Sequence, residues 1–384
     1  MTVLLALMLW LSPQAVPARP AASAPTATCM ILPFENRSGN SQLNWIGESF
    51  VVFLTEALQA TPVAVLDRKS RIQALAIAGV PNGTPISHAT MIRMAQSADA
   101  RWLVAGWYNY DGTQLQVGAW LVDMVREHMV PMDVESGRLA DLETVQGHLG
   151  WSLRQQLAPT GTATPVASVA LRLPAYESYV RGIAADTPAA RVKFLSQAAK
   201  LAPTSQRVWL ALGEAELDAG DAAAAANWLV KVPPDSPDFA EAEFSTGVAL
   251  YRARRYAQAE SKFADLAQRL PLPEVKDDLT AAQAAQKPGA APPEIKTEFP
   301  VAGFEQLAAA VAQFDQAKLA ALSPAQRAEV ELETGMRLQT AGAFAAAVKS
   351  FNAVITNPAA SADTVRQARE RLAQMAAKGA GGSR

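Results

Sequence analysis

The spacing of apolar residues divides the chain into two parts that meet near residue 158. In the first part, short apolar runs alternate with segments of helical spacing, as expected for an α/β domain. Strands are predicted at residues 29–34 and 63–67, in two runs joined by the hairpin dipeptide Asp111-Gly112, and at residues 128–134, where Pro131 favours a sheet edge. Helical spacing is found at residues 43–58, up to residue 78, and at residues 88–98 and 139–157.

The second part is rich in alanine and repeats one helical pattern three times. In each copy a glycine is followed twelve residues later by alanine and sixteen residues later by a large apolar residue. The repeat positions are Trp209, Gly213, Ala225 and Leu229, then Gly247, Ala259 and Phe263, then Gly335, Ala347 and Phe351. Small residues allow two helices to cross closely, whereas large residues fill the wider gaps, so the pattern predicts pairs of packed helices.

This second pattern resembles the tetratricopeptide repeat (TPR) family. Gly213 and Gly247 are 34 residues apart, which is the TPR period. The motif positions are occupied by Trp209, Leu212, Gly213, Ala215, Gly220 and Ala225. The resemblance implies an all-α TPR-type solenoid in which stacked helix pairs cover one another's apolar faces, with a degenerate first repeat at residues 175–203.

The resemblance to TPRs also implies which residues face the concave groove of the solenoid. These partner-binding candidates are Leu210, Glu214, Leu217, Phe244, Val248 and Tyr251. Because most of them are apolar, and the Lys/Asn set with which some TPRs bind a terminal carboxylate is missing, we expect an apolar helical or extended peptide, or the α/β domain itself, in the groove.

The first part resembles the amino-terminal domain of the TolB translocation protein and the related domain of the curli-secretion lipoprotein CsgG. The resemblance rests on ILPFENRSGN at residues 31–40, NWIGESFVVFLTEAL at residues 44–58 and the hairpin region at residues 98–123. It implies a mixed sheet with flanking helices that serves as an interaction or assembly module of the bacterial envelope, without catalytic residues. The chain has no spare pair of long alternating segments, so a CsgG-like pore is not expected.

The amino terminus predicts export. Residues 3–11 are apolar and uncharged, and a stretch of small residues and prolines follows, as in a signal peptide. Nine residues are too few for a helix to span a bilayer. Cleavage is expected between residues 18 and 28, which predicts a periplasmic protein. Lipidation of Cys29 in the outer membrane is the alternative, but residues 26–28 lack the Leu-Ala-Gly type of consensus, so we favour a cysteine within a strand.

These observations predict a linear order of segments. The predicted order is a signal peptide (1–24), a TolB-like α/β domain (28–158), a linker (159–172), TPR repeats (173–272), a Pro/Gly-rich linker or irregular insertion (273–302), further TPR-like helices with a cap (303–378) and a loose tail (379–384).

Composition and the absence of known motifs limit the classes of function that we expect. Lys and Arg number 34 and Asp and Glu 36, a net charge of -2 that gives no reason to expect nucleic acid as a partner. With one cysteine and three scattered histidines (His88, His128 and His148), the sequence predicts no metal site. It also contains no phosphate-binding loop or hydrolase motif, so we expect no cofactor, no catalytic residue and no enzymatic activity.

Two groups of side chains are candidates for binding surfaces. Trp102, Trp107 and Trp120 in the predicted hairpin are interpreted as core residues, with an exposed binding face as the alternative. Arg252, Arg254 and Arg255 are interpreted as a solvated basic cluster.

The sequence therefore predicts an exported, non-enzymatic envelope scaffold that binds protein or peptide partners through TPR repeats and a TolB-like domain. The alternative is an oligomeric component of an envelope secretion or translocation apparatus that assembles through the α/β domain. Neither hypothesis requires a stable membrane span.

Overall fold

A computed structural model of the chain describes residues 27–58, 61, 63–79, 86–157, 171–234, 236, 238–270, 272–289, 291–300, 323–340 and 344–380. The expected signal peptide, most of the linker at 159–172, the helical pattern at 303–322 and residues 381–384 lie outside these described residues.

The amino-terminal half contains a mixed sheet of seven strands. β1 (Ala27–Ile31) is central and parallel to both β3 (Val63–Val65) and β4 (Trp102–Tyr110). β4 forms an antiparallel hairpin with β5 (Leu115–Asp123), as the Asp111-Gly112 signal predicts. The remaining strands are β2 (Glu35–Asn36), which pairs with β4, and β6 (His128–Pro131) and β7 (Glu135–Gly137), which both pair with β5.

Helices cover both faces of this sheet. Alternate residues of a strand point to opposite faces, so Cys29 and Ile31 of β1 enter one core, whereas Met30 enters the other. The first core is closed by α1 (Trp45–Leu58) and α4 (Leu142–Leu157), and the second by α2 (Arg68–Ile77) and α3 (His88–Ser97). The result is the predicted α/β unit with flanking helices.

From residue 171 onward, the described residues form helices and connecting segments. The helices are α5 (Leu173–Ala184), α6 (Pro188–Leu201), α7 (Gln206–Ala219), α8 (Ala222–Leu229), α9 (Phe239–Arg252), α10 (Tyr256–Arg269), α11 (Pro273–Ala285), α12 (Pro324–Thr340), α13 (Phe344–Thr356) and α14 (Ala362–Ala380). Each of α5 to α10 packs against the next helix in the chain. Within the described part of the chain, no helix is both long enough and apolar enough to cross a membrane.

Two sequence-based boundaries need correction. Residues 273–302 are predicted as a linker or irregular insertion, but α11 occupies residues 273–285. Pro273 stands in the first turn of α11, Glu274 complements the positive end of the helix, and the following residues are mostly good helix formers. The predicted tail at 379–384 also begins too early, because α14 continues to Ala380.

The α/β unit and the first helices share one hydrophobic core. Tyr179, Leu195 and Leu212, from α5, α6 and α7, belong to the same buried cluster as Phe50 and Leu153 of the α/β unit. The Tyr176 hydroxyl lies 3.2 Å from the Ser49 carbonyl oxygen, and its ring meets Trp45 edge to face. The helical region is therefore packed directly onto α1 and α4.

Candidate protein interaction site

The helix pairs are built around the glycines of the repeat pattern. A Cβ atom added to Gly213 would lie 2.5 Å from the side chain of Leu229, and one added to Gly247 would lie 2.6 Å from Phe263. Gly335 has the same relation, at 2.6 Å, to Phe351. In each pair the two residues lie on consecutive helices at similar distances from the connecting loop, so the helices are antiparallel and in close contact. The alanines at the intermediate repeat position, Ala225, Ala259 and Ala347, are fully buried.

The partner-binding candidates of α7 and α9 lie together in one buried cluster. Phe244 and Val248 have no exposed surface, and Tyr251 is 7% exposed. Leu210 and Leu217 of α7 belong to the same cluster, and Trp209 packs against it. We call the surface formed by Leu210, Leu217, Phe244, Val248 and Tyr251 the apolar face. Glu214, the remaining candidate, is half-buried on α7.

Residues 291–300, which we call the covering segment, lie over the apolar face. The segment has neither helix nor strand. Its side chains are mostly exposed, but Ile295 and Phe299 pack against the cluster that contains the apolar face. The Phe299 ring meets Phe244 edge to face at 5.7 Å, and the Tyr251 hydroxyl donates a 2.6 Å hydrogen bond to the Pro293 carbonyl oxygen. Because Pro293 lies at the end of α9 and Phe299 nearer its middle, the segment runs antiparallel to α9.

Asp278 of α11 holds the backbone of the covering segment. Its Oδ1 accepts a 2.9 Å hydrogen bond from the Lys296 N–H, whereas Oδ2 is buried and has no hydrogen-bond partner. Asp278 is 2% exposed, and burial raises its pKa to about 6, although the Lys296 N–H acts in the opposite direction. Because Asp278 binds the backbone N–H of residue 296, this hydrogen bond does not depend on which side chain stands at position 296.

Carboxylates lie beside the apolar face. Burial raises the pKa of Glu214, and the charge of Glu241 on the neighbouring α9 raises it further, while Arg191 acts in the opposite direction. Burial and Asp238 likewise raise the pKa of Glu241. Arg191 forms an ion pair with Asp218. The surface next to the apolar face is therefore acidic, and its carboxylates hold protons more tightly than free glutamates.

A mostly buried ion pair connects the helical region to the α/β unit. Arg207 of α7 and Glu56 of α1 are 2.6 Å apart, and the side chain of each is 20% exposed. Arg68 of α2 also reaches the turn after α5, where it donates to the Ala184 carbonyl oxygen at 2.6 Å and pairs with Asp186 at 2.9 Å. Sequence reasoning did not find these contacts, because single charged residues on separate helices give no local signal.

The basic cluster lies outside the apolar face. Arg252, Arg254 and Arg255 are exposed at the end of α9 and the loop that follows. The Arg252 guanidinium donates a 3.1 Å hydrogen bond to the Leu217 carbonyl oxygen, so it connects α9 to α7.

The hairpin tryptophans are half-buried and lie in different surroundings. Trp102 packs against the core beneath α1 and α4, and Trp120 against the core beneath α2 and α3. The Arg37 guanidinium lies 4.9 Å from the centre of the Trp107 ring. The three side chains therefore form no common binding face.

The histidines lie in separate places. His88 meets the Trp120 ring at 5.2 Å, His128 is exposed on β6, and His148 Nδ1 lies 3.0 Å from a carboxylate oxygen of Glu135. Among the described residues, no three His, Cys, Asp or Glu side chains are grouped so that they could hold a metal ion.

The third glycine repeat forms its own hydrophobic core, which is separate from the cluster that contains the apolar face. Gly335 packs on Phe351, and Ala347 and Phe351 belong to a distinct cluster made by α12, α13 and α14. The candidate site thus consists of the apolar face, the covering segment and Asp278. Comparison with known proteins finds no matching family model and no matching curated protein.

Proposed function

We propose that this chain is a non-enzymatic scaffold of the bacterial cell envelope that binds partner proteins through TPR-type repeats and a TolB-like α/β domain. The observation that carries the proposal is the apolar face. First helices of successive hairpins, α7 and α9, contribute Leu210, Phe244 and Val248 to one surface, and a short irregular segment covers it. Such a surface suits a peptide-like partner, because apolar contact supplies affinity without a catalytic group.

The junction with the α/β unit supports a scaffold role. Since α5 to α7 share a core with α1 and α4, the two parts are held in a defined relative position. A partner bound to the helices would therefore be presented at a fixed distance from the sheet. Two partners bound to the two parts would be brought together in one geometry.

Export to the periplasm belongs to the same proposal and rests on residues 1–24. The burial of Cys29 in β1 supports the reading of this residue as a strand cysteine in place of a lipid attachment site. Mass spectrometry of the chain recovered from the periplasm should show loss of between 18 and 28 amino-terminal residues. Recovery of the full-length chain from the cytoplasm would contradict export.

A capture experiment with a matched pair of variants tests partner binding. Val248→Thr places a hydroxyl group in the apolar face, whereas Val230→Thr makes the same change at an exposed position, 64% accessible, outside that face. We expect the tagged full chain and Val230→Thr to capture the same envelope protein after cross-linking, and Val248→Thr to capture several-fold less. Thermal unfolding of both variants controls for loss of structure. Equal capture by both variants would contradict binding at the apolar face.

The alternative function, an oligomeric component of a secretion or translocation apparatus, is favoured by one observation on the sheet. β6 pairs only with β5 in the described part of the chain, and Val125, Met129 and Val134 are exposed at this side. An exposed strand edge with apolar side chains can pair with another copy. Sedimentation velocity should then show higher assemblies that Val134→Glu disrupts and Ile77→Glu, at an exposed site on α2, does not. A monomer at all concentrations would exclude this alternative.

A further inference from the structure

We infer that the covering segment is a displaceable ligand carried by the chain itself, and that its sequence describes the partner segment that takes its place on the apolar face. The inference rests on the proposed function, in which the apolar face binds a protein partner. It adds the chemistry of that partner and a reason why the face is not bare in the free chain.

The contacts of the covering segment are those of a bound peptide. Two side chains, Ile295 and Phe299, face the protein, while the residues between them are exposed. Two hydrogen bonds use the backbone of the segment: Asp278 accepts from the Lys296 N–H at 2.9 Å, and Tyr251 donates to the Pro293 carbonyl oxygen at 2.6 Å. Two side-chain anchors with backbone hydrogen bonds between and beside them form a recognition pattern that another chain can reproduce.

The attachment of the segment is limited. Its ion pair to the α/β unit, between Glu298 and Lys69 at 3.2 Å, joins two side chains that are 83% and 80% exposed, so solvent screens it strongly. Gly289, with φ of 76°, provides a turn just before the segment. Asp278 Oδ2 is buried without a partner, so the present occupant leaves one hydrogen-bonding position unused.

These contacts define the partner. It is a protein segment with a branched apolar residue in the place of Ile295 and an aromatic residue four positions later, in the place of Phe299. The residue after the apolar one must not be proline, because its N–H is needed by Asp278. A donor that also reaches Asp278 Oδ2 would bind more tightly than the segment does.

A labelled peptide tests the inference. The probe is fluorescein-labelled APPEIKTEFP, the sequence of residues 291–300. The double variant Ile295→Ser with Phe299→Ser removes both anchors from the full chain. The matched control, Glu294→Ser with Thr297→Ser, changes two exposed positions of the same segment. We expect the anchor variant to bind the probe at least tenfold more tightly than the wild type and the control variant, because an attached ligand reduces the apparent affinity for a free one. A probe with serine at both anchor positions should bind none of the three.

Other outcomes overturn the inference. A folded anchor variant that does not bind the probe, or equal binding by all three proteins, would show that the segment is a fixed part of the core or that the probe binds elsewhere. A concentration-dependent wild-type dimer that the anchor variant abolishes would make a second copy of the chain the occupant. Capture of a partner by the wild type would still support the proposed function in each of these cases.

If the anchor variant does not fold, an experiment on the wild type tests the inference. Hydrogen exchange with mass spectrometry then follows residues 291–300 of the chain in the presence of excess unlabelled peptide. Faster exchange in the segment shows displacement and supports the inference. Unchanged exchange at peptide concentrations up to the millimolar range contradicts it.

Discussion

The rings of Phe244 in α9 and Phe299 in the covering segment meet edge to face, with centroids 5.7 Å apart and planes inclined by 63°. Phe244 also meets Phe263 of α10 at 5.9 Å, so it lies between a helix of its own hairpin and a segment that follows α11. Through this pair a Pro-rich segment contacts the helical core.

A double-mutant cycle measures this contact. Phe244→Ala should cost about 3–5 kcal/mol because the residue is fully buried. Phe299→Ala should cost roughly half as much, since Phe299 is only partly buried. The double variant should fall short of the sum by about 0.5–1.5 kcal/mol, the worth of an aromatic pair. Urea unfolding provides the four free energies. Strict additivity would show that the two rings do not stabilise each other.

Gly247 and Gly147 predict opposite effects of the same substitution. A Cβ at position 247 would lie 2.6 Å from Phe263, so Gly247→Ala should lower the free energy of unfolding by about 1–3 kcal/mol. Gly147 lies in α4 and has no neighbouring atom within 4 Å of an added Cβ. Gly147→Ala should therefore stabilise the protein by roughly 0.5–1 kcal/mol, since alanine favours a helix interior. Stabilisation by both substitutions would contradict close packing at Gly247.

Local signals account for what the sequence predicted. The β4–β5 hairpin follows from Asp111-Gly112, where Gly112 adopts φ of 98° and Asp111 accepts hydrogen bonds from the Thr113 and Gln114 N–H groups. The two faces of β1 follow from the alternation of side chains along a strand. In these elements the residues that predict the structure are also the residues that form its contacts.

The covering segment could not be predicted in this way. Proline and glycine around residues 286–303 indicate a linker, and Ile295 and Phe299 are too few to form a periodic pattern. Their burial depends on Phe244 and Asp278, which are distant in sequence. Tertiary contacts therefore determine the position of the segment, whereas composition alone predicts a linker.

Because Arg207 and Glu56 form an ion pair, we expect the free energy of unfolding to depend strongly on both residues. Arg207→Met should cost about 3–5 kcal/mol, because it leaves the mostly buried Glu56 carboxylate without its cation. Adding Glu56→Gln should restore part of the loss, since the Glu56 charge is then removed. Asp238, whose pKa Arg207 lowers, still lacks its cation in the double variant. Thermal unfolding of the two single variants and the double variant provides the measurement. If Arg207→Met alone is neutral, the pair does not contribute to holding α7 on α1.

The carboxylates beside the apolar face predict a pH dependence of stability. Burial raises the pKa of Glu214 and of Glu241, so the folded chain holds more protons than the unfolded chain between the ordinary glutamate pKa, about 4.3, and the raised values. The free energy of unfolding should therefore fall as the pH rises through this window, by on the order of 1 kcal/mol.

Neutral variants isolate this effect. Glu214→Gln should reduce the slope of the free energy of unfolding against pH, whereas Glu294→Gln, at an exposed position of the covering segment, should leave it unchanged. Urea unfolding at pH 5 and pH 8 is sufficient for the comparison. A wild type that becomes more stable on going from pH 5 to pH 8, with the same slope in Glu214→Gln, would contradict the raised pKa values.

The rate of alkylation of Cys29 measures how readily β1 leaves the sheet. β1 lies between β3 and β4, and the Cys29 side chain is fully buried in the core beneath α1 and α4. Burial raises the pKa of its thiol to about 12. Only the thiolate reacts with alkylating reagents, so the native chain should be labelled very slowly at pH 8, and addition of urea should accelerate labelling in step with unfolding. Because the chain has one cysteine, the rate is free of contributions from other thiols. The same burial argues against a lipid on this sulfur, since acyl chains attached there would have to enter the hydrophobic core to which Cys29 belongs. Rapid labelling without urea would show that β1 leaves the sheet readily.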